Sequence, residues 1–213
     1  MENPLDGPHT RRSFLRGTGL SAAGAVLASG LQALGARSAL AQDPKDDPVV
    51  GPGPLVVTLK VNGAARRLEV EPRTTLAEAL RDELGLTGTK VVCDRGSCSA
   101  CTVWLDDVPV TSCMTLAIDV GARAVTTIEG LAQGDELHPV QACFVEHDAL
   151  QCGFCTPGMV MSCAALLKRN PQPTLADVKT ATSGNLCRCG TYPKVFEATL
   201  AAARRLPSSA GKR

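Results

Sequence analysis

All ten cysteines of the chain lie between Cys93 and Cys189, and they constrain the fold more than any other feature. The chain has 213 residues, a length that suits one or two domains. Cysteines clustered in this way are disulfide partners, ligands of a metal ion or ligands of a cluster, and their spacing distinguishes these roles.

The first four cysteines have the spacing of plant-type [2Fe–2S] ferredoxins. Cys93, Cys98 and Cys101 follow the pattern C-x4-C-x2-C, and eleven residues separate Cys101 from Cys113. Small residues between them allow backbone N–H groups to approach the bridging sulfides. A zinc site more typically has two C-x2-C pairs, and disulfides are unfavourable for three cysteines so close in sequence. The spacing therefore favours an iron–sulfur cluster over zinc or disulfides.

The segments around this set predict a small α+β domain over residues 55–130. Two alternating runs flank Asn62-Gly63, which is a strong hairpin signal. A capping box, Thr75 to Glu78, begins a helix that should end near Gly85. The predicted strands are 55–61, 66–70, 102–105 and 122–128.

A second set of four cysteines consists of two close pairs, each placed just before a predicted helix. The pairs are Cys152-x2-Cys155 and Cys187-x-Cys189. A helix N-terminus carries partial positive charge and free N–H groups, which stabilise thiolates and an anionic cluster. The residues alone leave three interpretations open: a second cluster, a four-cysteine zinc site, and a redox-active dithiol at Cys152 and Cys155.

Helical patterns replace strand patterns after Gly130 and predict a helical domain over residues 131–206. Thr156-Pro157 is typical of an N-cap followed by proline at the first helical position. Four short helices joined by short loops favour a small bundle. The predicted helices are 138–147, 156–169, 174 to about 184, and 193–205.

Several other conspicuous residues are expected to be structural. Cys143 and Cys163 lie in apolar helical runs, so we expect buried thiols, with a disulfide between them as the alternative. His138 and His147 are expected to be polar residues at helix ends, and Trp104 is expected in the core.

The N-terminal 41 residues have the composition of an export signal. Arg11 and Arg12 precede a Gly- and Ala-rich uncharged run, 17–36, and Ala39-Leu40-Ala41 provides a small-x-small cleavage pattern. This predicts a twin-arginine signal at 1–41 and a periplasmic location, with an uncleaved membrane anchor as the alternative. A Pro- and Gly-rich linker, 42–54, follows the signal, and a tail is predicted at 207–213.

Composition excludes some classes of function. With 22 basic and 21 acidic residues, the chain has a net charge of +1, which argues against nucleic-acid binding through bulk charge. Aromatic residues make up only 3%, which disfavours base stacking. An apolar fraction of 44% is enough for a packed core. A zinc- or disulfide-stabilised binding module and a free-standing diffusible ferredoxin remain as rival functions.

Three segments closely resemble the small iron–sulfur subunit of the molybdenum hydroxylase (xanthine oxidase) family. The segments are CDRGSCSACTV (93–103), QCGFCTPGM (151–159) and GNLCRCGTY (184–192). The resemblance spans residues 55–203, and the motifs occur in the order found in the family. Together with the export signal, the chain is most similar to the small subunits of periplasmic aldehyde oxidoreductases.

The resemblance implies an α+β architecture in which a β-grasp, plant-type ferredoxin-like domain precedes an all-α four-helix-bundle domain. Each domain would hold one [2Fe–2S] cluster. The implied ligands are Cys93, Cys98, Cys101 and Cys113 for the first cluster, and Cys152, Cys155, Cys187 and Cys189 for the second. No catalytic residue is expected in this chain.

The resemblance also implies partners. Residues matching Gln151 and Cys189 contact the molybdenum pyranopterin, which a separate large subunit holds. Electrons would pass from that cofactor through both clusters to FAD on another subunit, to a cytochrome or to another acceptor. One position departs from the family, which often has Cys-Gly-Ala-Cys where this chain has Ser99 after Cys98. Serine adopts the backbone range of glycine less readily, so we expect a shifted potential and not a lost cluster.

Overall fold

The computed structural model describes residues 51–206. The predicted export signal (1–41), most of the predicted linker (42–54) and the predicted tail (207–213) lie outside the described residues. Within the described part of the chain, every helix is too short or too polar to cross a membrane.

Five strands form one mixed sheet in the first half of the described chain. They are β1 (Leu55–Val61), β2 (Ala64–Val70), β3 (Thr102–Leu105), β4 (Val108–Thr111) and β5 (Ala124–Thr126). Their order is β2-β1-β5-β3-β4, with β1 and β5 parallel and the other pairs antiparallel. Asn62 and Gly63 join β1 to β2 with positive φ angles of 50° and 81°, as a two-residue hairpin turn requires. The predicted hairpin is therefore confirmed.

One helical segment covers the sheet, and it begins at the predicted capping box. Helix α1 (Leu76–Glu78) continues directly as a π-helical turn, Ala79–Glu83. The Thr75 hydroxyl accepts a hydrogen bond from the Glu78 amide at 3.2 Å, and the Glu78 carboxylate accepts one from the Thr75 amide at 2.8 Å. Leu76 and Leu80 are completely buried in a core formed with β1, β3 and β5. The sheet and this segment give the first half its α+β character.

Strand β4 was not predicted. It contains Pro109, which cannot donate to a ladder, and none of its residues is fully buried. It pairs only with β3, as an edge strand. Because an edge strand does not need an alternating apolar pattern, the sequence carries little signal for it.

Four helices follow the sheet. They are α2 (Pro139–Glu146), α3 (Thr156–Arg169), α4 (Leu175–Ala181) and α5 (Tyr192–Arg205). All four lie where the sequence predicts helices, but most of their ends differ by one to three residues: α4 ends at Ala181 and not near Gly184, and the N-cap of α3 is one residue earlier than predicted. Cys155 occupies the N-cap position, so Thr156 is the first helical residue and does not cap the helix.

Helix α3 forms the centre of the second half. Its residues from Gly158 to Leu167 are all buried, and the helix contacts each of the other three helices. Trp104 of β3 belongs to this helical core and donates a hydrogen bond from its indole nitrogen to the Met161 carbonyl at 3.0 Å. Lys168 on α3 forms an ion pair with Asp107 on the β3–β4 turn at 2.6 Å. The sheet and the helices therefore share part of one core.

Candidate metal centres

The first three cysteines lie in the loop between α1 and β3. This loop turns tightly because Asp94, Gly96 and Ser99 all adopt positive φ angles, of 51°, 71° and 53°. The tight path directs backbone N–H groups toward sulfur: the Ser97 amide donates to the Cys93 Sγ at 3.3 Å. The backbone N–H of Arg95 is the main cause that lowers the pKa of the Cys93 thiol to about 7.

Cys113 reaches the same place from a 3-10 turn, Ser112–Met114, that follows β4. The Ser112 hydroxyl and amide both donate to the Cys101 carbonyl, at 2.7 Å and 3.3 Å, and so fasten the turn to the loop. Burial raises the pKa of the Cys113 thiol to about 11, and the neighbouring thiols of Cys101 and Cys93 act in the same direction. The Cys98 thiol in turn helps to lower the pKa of Cys93. The fold thus brings all four predicted ligands of the first set together.

The second set lies on two loops that precede α3 and α5. Burial, with the neighbouring thiols of Cys187 and Cys152, raises the pKa of Cys155 to about 12. Burial also acts to raise the pKa of Cys187, but the Thr191 hydroxyl, 3.2 Å from the sulfur, and nearby backbone N–H groups lower it to about 7. Cys152, Cys155 and Cys187 are therefore neighbours across the two loops.

Cys189 and Gln151 lie on the outer side of this set. Both side chains are exposed, Cys189 two residues after Cys187 and Gln151 directly before Cys152. They are accessible to a partner, which is what their expected contact with a pterin would require.

Two residues near the second set, Tyr192 and Asn185, were not predicted from the sequence as functional candidates. The hydroxyl of Tyr192 accepts a hydrogen bond from the Cys187 amide at 2.8 Å and donates one to the Asn185 carbonyl at 3.0 Å. The signal available was that the single tyrosine of the chain lies three residues after Cys189 of the C-x-C motif.

Both cysteine sets line one cleft of about 480 Å³. Cys93 and Cys98 contribute to it from the first set, and Cys152, Cys155 and Cys187 contribute from the second. Its rim carries exposed apolar side chains, of which Val92, Phe154 and Leu186 are each more than half exposed.

The ligand atoms of both sets are thiol sulfurs, and N–H and O–H groups are directed at them. This is the donor chemistry of iron–sulfur clusters, whose potentials depend on hydrogen bonds to the sulfurs and on exposure to solvent. Among residues 51–206, no group of three or more His, Cys, Asp or Glu side chains has the arrangement that would hold a single metal ion.

The remaining cysteines and histidines have the structural positions expected of them. Cys143 and Cys163 are fully buried free thiols on α2 and α3, so the alternative of a disulfide between them is not found. His138 caps α2, because its Nδ1 accepts a hydrogen bond from the Val140 amide at 3.2 Å. His147 is the C-terminal cap of the same helix.

Comparisons with known proteins agree with this geometry. A family model described as a 2Fe-2S iron-sulfur cluster binding domain matches residues 59–145, and one described as a [2Fe-2S] binding domain matches residues 127–200. The aldehyde oxidoreductase iron-sulfur-binding subunit PaoA of Escherichia coli O157:H7 is 39% identical, over 96% of this chain and 93% of its own.

Two further relatives match a smaller share of the chain. The nicotine 6-hydroxylase small subunit of Paenarthrobacter nicotinovorans is 45% identical over 73% of this chain and 93% of its own. A chain of the quinoline 2-oxidoreductase of Pseudomonas putida 86 superposes with a TM-score of 0.69 at 43% identity, covering 71% of this chain and 94% of its own. The chain belongs to the iron–sulfur subunits of the molybdenum hydroxylase family, which are components of oxidoreductase complexes.

Proposed function

We propose that the chain carries two [2Fe–2S] clusters and passes electrons from the molybdenum cofactor of a large partner subunit to an acceptor. The observation that carries this proposal is that five of the eight cysteines, two from the first set and three from the second, line one cleft in a single compact unit. Each cluster, when bound, supplies a centre that accepts and returns one electron at a time.

The residues of this chain would hold the clusters and set their surroundings. Cys98, Cys101 and Cys113 are buried, so the first cluster would be largely shielded from water. The Ser97 amide and the Thr191 hydroxyl direct hydrogen-bond donors at one sulfur of each set. Such donors stabilise the more negative, reduced form of a cluster and therefore raise its potential.

The exposure of the two sets suggests how the complex is arranged. Cys152, Cys189 and Gln151 are exposed, so the second set would face the molybdenum pyranopterin of the large subunit, with Gln151 and Cys189 in contact with it. The first set would pass electrons onward to an FAD subunit, a cytochrome or another acceptor. Similarity to an aldehyde oxidoreductase subunit supports an aldehyde as the substrate oxidised on the large subunit.

We further propose the domain organisation and location expected from the sequence. Residues 55–130 would be a β-grasp domain and residues 131–206 a four-helix bundle. Residues 1–41 would direct export of the folded, cluster-loaded chain to the periplasm by the twin-arginine route.

Electron paramagnetic resonance of the dithionite-reduced complex tests the number of clusters. We expect two distinct S = ½ signals that integrate to about two spins per chain. Cys113→Ala should abolish one signal and Cys187→Ala the other. Cys163→Ala is the matched control, because this buried thiol belongs to neither set, and it should keep both signals.

The proposal fails if the purified complex contains no iron, or if both ligand variants lose the same single signal. Co-purification tests the partner. A large subunit that contains molybdenum should remain bound to the chain through size-exclusion chromatography, whereas a stable, cluster-loaded monomer would identify a diffusible ferredoxin.

A further inference from the structure

A short stretch that enters the C-x-C motif also contacts the loop of the first set. The Leu186 amide donates a hydrogen bond to the Cys98 carbonyl at 3.0 Å. The side-chain amide of Asn185 donates another to the Ser99 carbonyl at 3.2 Å. Asn185 is only 3% exposed, so this contact is protected from water. Two hydrogen bonds thus connect residues next to Cys187 with Cys98 and its neighbour.

Tyr192 holds the same stretch from the side of the second set. Its hydroxyl bridges the Asn185 carbonyl and the Cys187 amide. This bridge lies wholly within residues 185–192. Asn185 and Tyr192 therefore act on the same backbone, but of these two side chains only that of Asn185 forms a hydrogen bond with the loop of the first set.

The start of α3, which follows Cys155 of the second set, packs closely against the same part of the first loop. A Cβ atom at Gly158, near the start of α3, would lie 2.3 Å from the Ser99 carbonyl oxygen and 3.0 Å from the Ala100 Cα. The 98–100 stretch is thus enclosed between α3 on one side and Asn185 on the other. A displacement of the Asn185–Leu186 stretch therefore acts on Cys98 and Ser99 through the two hydrogen bonds.

We propose that Asn185 is a positioning residue that couples the two cluster-binding loops, so that its loss alters the surroundings of both clusters. Tyr192 acts directly on the second set and reaches the first only through the peptide between Asn185 and Leu186. This inference rests on the proposed function, because both clusters must be present. The physical basis is that hydrogen bonds near the ligand sulfurs and exposure to solvent set the spectrum and potential of a cluster.

The test compares four variants in the complete complex. Asn185→Ala removes the donor to Ser99, and Asn185→Leu removes it with little change of shape and no added charge. Tyr192→Phe removes only the hydroxyl bridge. Ser183→Ala is the control, because this exposed hydroxyl bonds the Thr180 carbonyl of its own segment. The measurements are iron content, the g-values of both reduced clusters and their midpoint potentials in a redox titration.

Both Asn185 variants should shift the g-values and the midpoint potential of both clusters. Tyr192→Phe should shift those of the second cluster more than those of the first, and Ser183→Ala should shift neither. If Asn185→Ala loses iron, Asn185→Leu decides the outcome, and an Asn185→Leu protein with an unchanged first-cluster signal overturns the inference. Absence of two signals in the unmodified complex would instead refute the proposed function, so the two failures are distinguishable.

Discussion

Substitution of Gly158 by alanine tests the close approach of the two cysteine loops most directly. Gly158 is buried in the first turn of α3, and its added methyl group would meet the backbone of the first loop. The nearest atom, the Ser99 carbonyl oxygen, would be 2.3 Å away. Ordinary contacts need a separation of about 3.5 Å, so α3 and the loop must move apart by about 1 Å.

Two opposing effects decide the stability of this variant. Overpacking against a rigid neighbour costs about 1–3 kcal/mol. Replacing glycine by alanine in a helix stabilises it by at most about 1 kcal/mol, and by less near its start. We therefore expect a net loss of about 1–2 kcal/mol. For a unit of this size the loss corresponds to a fall in Tm of about 2–8 °C.

Thermal unfolding of the cluster-loaded protein, followed by circular dichroism and by loss of cluster absorbance, measures this effect. Gly184→Ala is the matched control: its Cβ would meet only the Ser99 hydroxyl, at 3.3 Å, and that side chain can rotate away. The control should remain within about 0.5 kcal/mol of the unmodified protein. A Gly158→Ala protein as stable as this control would refute the close approach.

Three further perturbations address the core, the caps and the unused cysteines. Trp104→Phe removes the indole donor to the Met161 carbonyl and should lower the free energy of unfolding by about 1–3 kcal/mol in denaturant titrations. Burial lowers the pKa of His138 below its ordinary value of 6.5. The neutral imidazole therefore stabilises the fold fully above pH 6.5, and this stabilisation is lost as the pH falls through the pKa of His138 in the folded protein. His138→Asn should accordingly show a flatter dependence of Tm on pH between about pH 7 and pH 5. Cys143 and Cys163 should resist alkylation after a chelator has removed the clusters, and mass spectrometry should detect their labelling only on unfolding.

Local signals predicted most of the fold. The Thr75 capping box, the Asn62-Gly63 turn and the end of α3 each depend on residues close together in sequence, so composition and spacing were sufficient. Strand β4 was missed because Pro109 and its edge position remove the usual alternating pattern. The start of α3 was misplaced by one residue because Cys155, a poor N-cap, precedes the Thr-Pro pair that is typical of a helix start.

The candidate site was likewise predicted only in part. Motif spacing identified the eight cysteines, but not the residues that join the two sets. Asn185 and Ser99 are 86 residues apart in sequence, and a hydrogen bond over that separation leaves no periodic trace. Tyr192 was part of a recognised motif, but its role depends on where its ring directs the hydroxyl, which only the folded chain determines.

Ser99 is a residue that the sequence marked as unusual and whose backbone conformation the structure shows. The sequence indicated a serine at a position where relatives often have glycine, and the structure places it at a φ of 53°, in the left-handed region that serine adopts less readily. Its carbonyl accepts hydrogen bonds from Thr102 and Asn185, which hold it there. The strain is about 1 kcal/mol.

Ser99→Gly should relieve this strain, partly offset by the greater freedom of glycine in the unfolded chain. We expect a gain of at most about 1 kcal/mol in denaturant titrations, with both cluster signals retained. Ser99→Ala is the control, because it removes the same hydroxyl but keeps the strained Cβ, so it should not gain stability. Equal stability of the two variants would show that the hydroxyl, and not the backbone conformation, determines the energetic cost of serine at this position.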